Sequence, residues 1–219
     1  MKKSISSVDN QKLIIGVDEV GRGPLAGPIT LVGFLAPENL RTRLVQILGG
    51  KIKDSKQFSH QKRKGIYKQF LRLKKEEKVF FAVSHISNKV IDKFGISRAT
   101  KLGVNRSLRN CREDAHLGKR WASSRQIEIR LDGLLKAPKE YKNQKTIIGG
   151  DGKNVFIACA SIVAKVRRDH LMCRLAKKFP QYSFEIHKGY GTANHLKLIK
   201  KLGLSTLHRL SFCSRIQQW

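Results

Sequence analysis

The sequence lacks the features that mark secreted, membrane-spanning and zinc-finger proteins. It has four cysteines in 219 residues, and no two of them have the spacing of a metal finger or of a secreted disulfide framework. Residues 1–11 contain no apolar signal core. The apolar stretch over residues 25–37 is interrupted by glycine and proline and is too short to span a bilayer. We therefore expect a soluble, cytoplasmic protein with reduced thiols and no membrane association.

Acidic residues are also scarce. The chain has 16 Asp and Glu residues against 45 Lys and Arg residues, so its formal net charge is +29. Such an excess favours a polyanionic partner, most simply nucleic acid, whether the protein cuts it or only binds it. A chain of this length is sufficient for one domain that buries about 70% of its unfolded surface.

Against this basic background, two acids stand side by side in the most informative stretch of the chain. Residues 14–28 read IIGVDEVGRGPLAGP: an apolar run, then Asp18 and Glu19, then a glycine-rich turn. A strand that ends in this way carries charge to a surface site, and glycines let a ligand approach the backbone closely. An Asp-Glu pair alone is more often an ordinary solvated turn, because Asp and Gly are common turn residues.

Two more acids follow strand-like segments. Residues 126–132 alternate apolar and polar side chains and end at Asp132, and residues 145–148 lead through two glycines into Asp151. Carboxylates gathered at one sheet edge require cations, and hard oxygen ligands suit Mg²⁺ or Mn²⁺. Asp151 could instead serve only as a capping acid that interacts with the dipole of the following helix. Adjacent strand residues point to opposite faces, so Glu19 shares a site with Asp18 only where the strand ends or distorts.

Periodicity predicts the order of the elements. Strands are expected over 13–18, 29–36, 79–86, 126–132 and 145–148, and helices over 39–48, 60–75, 87–110, 154–179 and 193–202. Ser59 is expected to cap the second helix, and Gly95 to bend or break the third. Residues 111–124 are expected to form a polar loop.

Two segments resemble ribonuclease HII of bacteria and archaea. Residues 16–28 (GVDEVGRGPLAGP) resemble the signature of that family, and residues 158–169 (ACASIVAKVRRD) resemble its second hallmark. The resemblance implies an α/β, ribonuclease H-like fold: a five-stranded mixed sheet flanked by helices. It implies a catalytic domain over 1–180 and a C-terminal helical extension over 181–219 that contributes to the substrate site. The chain departs from the family at Gly149-Gly150, where a lysine usually precedes the fourth acid, and at Cys159, which is generally alanine.

The resemblance also implies a function. A metal-dependent endoribonuclease of this type hydrolyses the phosphodiester 5′ of ribonucleotides in RNA–DNA hybrids and in duplex DNA with embedded ribonucleotides, leaving 3′-hydroxyl and 5′-phosphate ends. Two Mg²⁺ or Mn²⁺ ions would be held by the residues that also catalyse the reaction: Asp18, Glu19, Asp132 and Asp151. The expected roles are ribonucleotide excision repair and primer clearance in DNA replication, by a monomer whose partners are these duplexes.

The resemblance supplies candidate nucleic-acid contacts as well. Ribonucleotide recognition is expected from the turn and from a tyrosine that packs on the sugar: Gly21, Arg22, Gly23 and Tyr190. Backbone contacts are expected from Ser55 and Lys56, although residues 54–56 also read as an ordinary loop, and a lone tyrosine is more often a packing residue. Ser161, Lys165 and Arg168 share a helical face that suits phosphates, whereas Lys165 is equally placed to pair with Asp169.

Two other functions remain open on the sequence. A non-catalytic RNA- or DNA-binding protein would explain the charge, but it has no need for four acids at strand ends. A nuclease of the same superfold that acts on DNA junctions or termini would have no need for the glycine-rich turn. Replacing Gly21 with valine is expected to harm ribonucleotide selection more than folding.

Overall fold

The protein is built on one mixed five-stranded sheet. The computed structural model describes residues 11–117, 127–214 and 216. The strands are β1 (Leu13–Val20), β2 (Ile29–Pro37), β3 (Phe80–Ile86), β4 (Ile127–Asp132) and β5 (Gln144–Ile147), in the spatial order β3-β2-β1-β4-β5. The β1–β2 and β2–β3 pairs are antiparallel, while β1–β4 and β4–β5 are parallel. The expected five-stranded mixed sheet is confirmed.

Eight α-helices accompany the sheet in the described part of the chain. They are α1 (Arg41–Ile47), α2 (His60–Lys75), α3 (Asn88–Leu117), α4 (Gly150–Lys153), α5 (Val155–Ala176), α6 (Phe184–His187), α7 (Ala193–Leu202) and α8 (Leu210–Cys213). Ser59 caps α2 by accepting a hydrogen bond from the Lys62 amide. Asn154 caps α5 in the same way, so the predicted helix over 154–179 begins one residue later and ends at Ala176.

Each face of the sheet is covered by one long helix. Alternate residues of β1 point to opposite faces, so Ile14 packs with α5 and α2 while Ile15 packs with α3. Gly16 allows α5 to lie directly on β1, because a Cβ at that position would overlap the backbone of Phe156. The small, fully buried residues Ala158 and Ala160 of α5 serve the same close packing.

The third helix breaks where predicted but ends later than predicted. Gly95 has φ 78° and ψ 158°, so the helix breaks there as expected. It then continues to Leu117, and the predicted loop over 111–124 is wrong for residues 111–117. The stripe that contains Val104 and Leu108 continues to Cys111, which is fully buried against β2, and the polar residues around it did not interrupt the helix. The rest of the predicted loop, 118–124, lies outside the described residues.

The segment that follows α5 returns to the start of the chain. Tyr182, Phe184 and Leu207 pack with Ala26 and Met172 in a third apolar cluster. Ala26 also forms an isolated β-bridge with His208. The turn after β1 is therefore held from behind by the C-terminal segment. Within residues 11–117, 127–214 and 216, no helix is long and apolar enough to cross a membrane.

Candidate active site

The parallel strands bring three of the four predicted acids to one edge of the sheet. Val17 pairs with Leu131, so Asp18 and Asp132 both lie where β1 and β4 stop pairing. Asp132 pairs in turn with Ile147 of β5, and Asp151 lies in the first turn of α4 just beyond that strand. The shared edge follows from the parallel pairing, because parallel strands end on the same side of a sheet.

Asp18 is the most buried of these acids. Its Oδ1 atom accepts a hydrogen bond of 2.7 Å from the Glu19 amide. Burial raises the pKa of Asp18 well above its ordinary value, a hydrogen bond with Ser161 opposes that rise, and the charges of Asp132 and Glu19 add to it. The carboxylate at this position is therefore costly to keep ionised without a nearby cation.

Glu19 lies beside Asp18 but on the other face of the sheet. Strand β1 remains paired with β2 through Val20, while its pairing with β4 ends at Val17, so Glu19 extends past the end of β4. Asp18 interacts with Ser161 of α5, whereas Glu19 lines a cleft beside α3. Burial raises the pKa of Glu19, Arg22 at 3.9 Å opposes the rise, and the charge of Asp132 supports it. Both acids therefore interact with Asp132 from opposite faces.

Asp132 is fixed by the backbone that leads to Asp151. Its Oδ1 atom accepts a hydrogen bond of 2.6 Å from the Gly150 amide. A Cβ on Gly150 would lie 2.6 Å from Ile157 Cδ1 and 3.2 Å from that same carboxylate oxygen. A lysine at position 150, which the family usually carries before the fourth acid, would therefore require Ile157 to shift. A Cβ on Gly149 would meet only the end of Lys153, at 3.9 Å.

A fifth acid, which the sequence reasoning missed, lies next to Asp151. The pKa of Asp151 is raised, first by burial and then by the charges of Asp54 and Asp132. Asp54 accepts a hydrogen bond of 2.9 Å from the Lys56 amide, and its carboxylate is 3.7 Å from Lys56 Nζ. Asp54 begins the 54–56 segment already noted for Ser55 and Lys56, so its carboxylate could have been counted with the other acids.

The acids interact with one another without forming a ready-made metal cage. In the described ranges, no three His, Cys, Asp or Glu side chains are placed to hold one metal ion together. The carboxylates of Asp18 and Asp132 each accept a hydrogen bond from a backbone amide, and Asp151 interacts with Asp54. The chemistry of the set nevertheless fits a hard divalent cation, because its donors are carboxylate oxygens whose mutual repulsion a cation would relieve.

The glycine-rich turn beside the acids is held by two fully buried arginines. Arg209 donates to the carbonyl oxygens of Gly21, Arg22 and Gly27, at 2.7, 2.8 and 2.9 Å. Arg168 of α5 donates to the carbonyl oxygens of Pro28, Lys188 and Ala26, at 3.1, 3.0 and 3.4 Å. These six bonds replace the hydration that both guanidinium groups lose on burial.

This arrangement corrects the expectation that Arg168 faces phosphates. Its side chain is fully buried, so it positions the turn and does not reach a ligand. The sequence did not indicate this role of Arg209, because its partners are backbone carbonyl groups about 180 residues away in the chain. Lys165 of the same helix face pairs with Asp169 at 3.0 Å, which is the second of the two roles that its spacing allowed.

The two glycines of the turn have different surroundings. Gly21 has φ +87°, and a Cβ there would overlap the Arg168 guanidinium. Valine at position 21 would therefore disturb the fold directly, contrary to the expectation that it affects mainly ribonucleotide selection. A Cβ on Gly23 would have nothing within 4 Å. Gly23 is thus the position where the backbone lies open to a ligand.

The remaining predicted contact residues surround this edge. Ser161 and Ser55 are both buried, with their hydroxyl oxygens 2.8 Å apart, so they join α5 to the short 3₁₀ turn Ser55–Gln57. Lys56 extends into solvent, with its side chain 82% exposed. Tyr190 is 39% exposed, and the centre of its ring lies 5.6 Å from the Arg168 guanidinium carbon. Lys56 and Tyr190 are therefore accessible, whereas Ser55 and Ser161 are buried, and Ser161 also bonds to Asp18.

A basic cleft continues the site on the α3 side. It encloses about 460 Å³. Its lining includes Glu19, Arg22, Thr100, Lys101 and Lys136. The cleft places cations beside the acidic edge.

The fold is that of the ribonuclease H-like class. The structure resembles ribonuclease H2 from Pyrococcus horikoshii OT3, with a TM-score of 0.67 at 22% identity, covering 94% of this chain and 97% of that one. It also resembles Bst-RNase HIII in complex with Mn²⁺, with a TM-score of 0.71 at 20% identity, covering 96% of this chain and 70% of that one. At these identities the likeness establishes the fold.

Sequence similarity identifies the family within that class. A sequence model described as Ribonuclease HII matches residues 15–215. A ribonuclease HII of Caldicellulosiruptor bescii is 35% identical over 208 residues, which cover 95% of this chain and 90% of that protein. The chain therefore belongs to the ribonuclease HII family, and the expectation that it is an enzyme of the ribonuclease H type is confirmed.

Proposed function

We propose that this protein is a metal-dependent endoribonuclease that cuts on the 5′ side of ribonucleotides, both in RNA–DNA hybrids and in duplex DNA with embedded ribonucleotides. The products would carry 3′-hydroxyl and 5′-phosphate ends. The observation that carries the proposal is the acidic edge formed by Asp18, Asp132 and Asp151 directly beside the Gly21–Gly23 turn. A reacting phosphodiester and its ribose would thus be bound by adjacent parts of the chain.

The acids are the proposed catalytic and metal-binding residues. Asp18, Glu19, Asp132 and Asp151 would bind one or two Mg²⁺ or Mn²⁺ ions, with Glu19 approaching from the α3 face. Such ions activate water and stabilise the leaving oxygen in phosphodiester hydrolysis. A relative's structure with Mn²⁺ supports this choice of cation. The backbone amide of Gly150 would orient the Asp132 carboxylate.

The turn is the proposed site of ribonucleotide recognition. RNA differs from DNA by the 2′-hydroxyl, which backbone groups can read only where no side chain blocks them. The open surroundings of Gly23 meet that requirement, and Arg168 and Arg209 hold the turn in place through its carbonyl groups. Tyr190 lies beside the same turn and would pack on the sugar.

The C-terminal extension over 181–219 is proposed to contribute to the substrate site through Tyr190. Lys56 and Arg22 are the proposed phosphate contacts, because both side chains are more than half exposed next to the acids. Repair of embedded ribonucleotides, primer clearance and action as a monomer are proposed from family membership.

A mapped cleavage assay tests this function. Cleavage of three end-labelled duplexes is compared in the presence of Mg²⁺ or Mn²⁺: DNA with one ribonucleotide, an RNA–DNA hybrid, and all-DNA. We expect a nick on the 5′ side of the ribonucleotide and no cut in all-DNA. A polymerase extends the upstream end only if it is a 3′-hydroxyl, and a ligase seals the nick only if the downstream end is a 5′-phosphate, so these two enzymes test the chemistry of the ends. Cleavage of all-DNA would favour a DNA nuclease, and binding without cleavage would favour a non-catalytic binder.

A further inference from the structure

A chain of hydrogen-bonded histidines lies behind Tyr190. His208 and His195 are almost fully buried, with their Nε2 atoms 3.1 Å apart. His195 Nδ1 lies 2.9 Å from the carbonyl oxygen of Tyr190, and His208 Nδ1 lies 2.9 Å from the Ser205 amide nitrogen. The two rings thus connect the loop after α7 to the residue proposed to pack on the sugar.

The two backbone groups at the ends of this chain fix the direction of every bond. The Ser205 amide can only donate, so His208 Nδ1 accepts and its Nε2 carries the hydrogen. His208 Nε2 therefore donates to His195 Nε2, which leaves the hydrogen of His195 on Nδ1. That hydrogen is donated to the Tyr190 carbonyl, which can only accept. Both imidazoles are neutral, each in a defined tautomer.

A third histidine holds the preceding turn in the same manner. His187 Nε2 donates to the Tyr182 carbonyl at 2.7 Å, and its Nδ1 accepts from the Gly189 amide at 3.1 Å. Its ring stacks on that of His195, with centroids 4.0 Å apart. Burial lowers the pKa of His195 and of His208 to about 4, which agrees with two neutral rings.

The Tyr190 backbone is consequently held on all sides. Its amide donates to the His187 carbonyl at 2.9 Å, and its carbonyl accepts from the Thr192 amide at 2.8 Å as well as from His195. Next to it, the Gly189 carbonyl accepts from the Leu25 amide at 2.8 Å, which ties this segment to the glycine-rich turn. The exposed Tyr190 ring therefore extends from a backbone that these hydrogen bonds hold in place.

We infer that His195 and His208 are positioning residues, which set the Tyr190 ring against the substrate sugar by holding the Tyr190 carbonyl. This inference rests on the proposed function, since it assigns Tyr190 a contact with substrate. A merely structural histidine pair would also be buried and bonded. What distinguishes the two roles is whether the effect of changing His195 passes through the Tyr190 ring.

Two matched substitutions separate the bonds of His195. In His195→Asn, the side-chain amide takes the place of Nδ1 and can still donate to the Tyr190 carbonyl. In His195→Gln, the amide takes the place of Nε2 and can still accept from His208, but the bond to Tyr190 is lost. We expect His195→Asn to cleave the single-ribonucleotide duplex nearly as fast as the parent, and His195→Gln about tenfold more slowly.

The same pair is then measured in a Tyr190→Ala background. If the histidine acts through the ring, the two variants should become equal there, because coupled changes are not additive. Equal losses for both variants in the parent background, or a difference that persists without the Tyr190 ring, would overturn the inference. A parent enzyme that does not cleave the duplex would instead overturn the proposed function and this inference with it.

A measurement on the parent protein covers the case in which a variant fails to fold. Imidazole ¹⁵N shifts at neutral pH report which ring nitrogen carries the hydrogen. We expect hydrogen on Nδ1 of His195 and on Nε2 of both His208 and His187. Hydrogen on Nε2 of His195 alone would remove the donor to the Tyr190 carbonyl, and hydrogen on Nδ1 of His208 alone would remove its donation to His195. Either result would overturn the inference.

Discussion

Alanine at position 21 should destabilise the fold, whereas alanine at position 23 should leave it unchanged. Gly21 has φ +87°, a conformation that costs an L-residue about 1–2 kcal/mol. Its new Cβ would also overlap the buried Arg168 guanidinium, and such overpacking costs about 1–3 kcal/mol more. At about 2–4 °C per kcal/mol for a protein of this size, Tm should fall by roughly 4–20 °C.

Gly23→Ala is the matched control for stability, because its Cβ would have nothing within 4 Å. Its Tm should lie within about 2 °C of the parent value. Thermal unfolding followed by circular dichroism measures both variants under identical conditions. The reasoning is refuted if Gly21→Ala unfolds at the parent temperature, or if Gly23→Ala falls as far as Gly21→Ala.

The same control variant tests the open backbone. With its fold intact, Gly23→Ala should lose discrimination between a single ribonucleotide and all-DNA, or lose cleavage of the ribonucleotide duplex, because the added methyl group occupies the face left free for the sugar. Parent-like rates and discrimination in a correctly folded Gly23→Ala protein would remove Gly23 from the recognition site.

Three further predictions concern the acids and the histidines. Asp132→Asn should abolish cleavage while duplex binding, measured by fluorescence anisotropy, stays near the parent value; retained turnover would remove Asp132 from the site. Gly150→Ala should lower the free energy of unfolding by about 1–3 kcal/mol in chemical denaturation, because its Cβ would lie 2.6 Å from Ile157 Cδ1. Gly152→Ala is the control: its Cβ would have open space around it, so its free energy of unfolding should stay within about 0.5 kcal/mol of the parent value. Equal losses in the two variants would contradict the packing argument. Burial lowers the pKa of His85, His195 and His208 to about 4 in the folded protein, so the unfolded chain binds more protons between pH 4 and about 6.5. The stability that is present above this range should therefore be lost as the pH falls through it, by up to about 1.4 kcal/mol per pH unit for each histidine. An unfolding free energy that is flat from pH 7 to 4.5 would contradict the neutral histidines.

The sheet could be predicted from the sequence because its information is local. Each strand is an apolar or alternating run bounded by glycine, proline or charge, and the predicted strands differ from the observed ones by at most two residues at either end. The acids Asp18 and Asp132 were recognisable for the same reason, since each follows such a run. Their meeting at one edge required the parallel pairing of β1 with β4, for which family resemblance supplied the topology.

The support of the site could not be predicted, because it depends on contacts distant in sequence. Arg209 bonds to carbonyl groups of the 21–27 turn, and nothing near it in the sequence indicates that partner. Arg168 was assigned a wrong environment for a related reason. Helical spacing correctly predicted the face of α5 on which Arg168 lies, but it could not show that the glycine-rich turn covers this face. Likewise, the histidine chain depends on how the loop after α7 folds back onto Tyr190.

The end of α3 shows why composition misleads at element boundaries. Residues 111–117 are mostly polar, which is typical of a loop, yet buried Cys111 continues the helical stripe and the helix persists. Tertiary packing of one side chain outweighs the low apolar content around it.

The central claim is that the acidic edge holds the divalent cation on which cleavage depends. The most direct measurement is a calorimetric titration of Mn²⁺ into the metal-free parent protein and into Asp18→Asn, at equal ionic strength. The claim predicts saturable Mn²⁺ binding by the parent and its loss or a strong weakening in Asp18→Asn. Equal binding by both proteins, or no binding by a parent that still cleaves the ribonucleotide duplex, would contradict it.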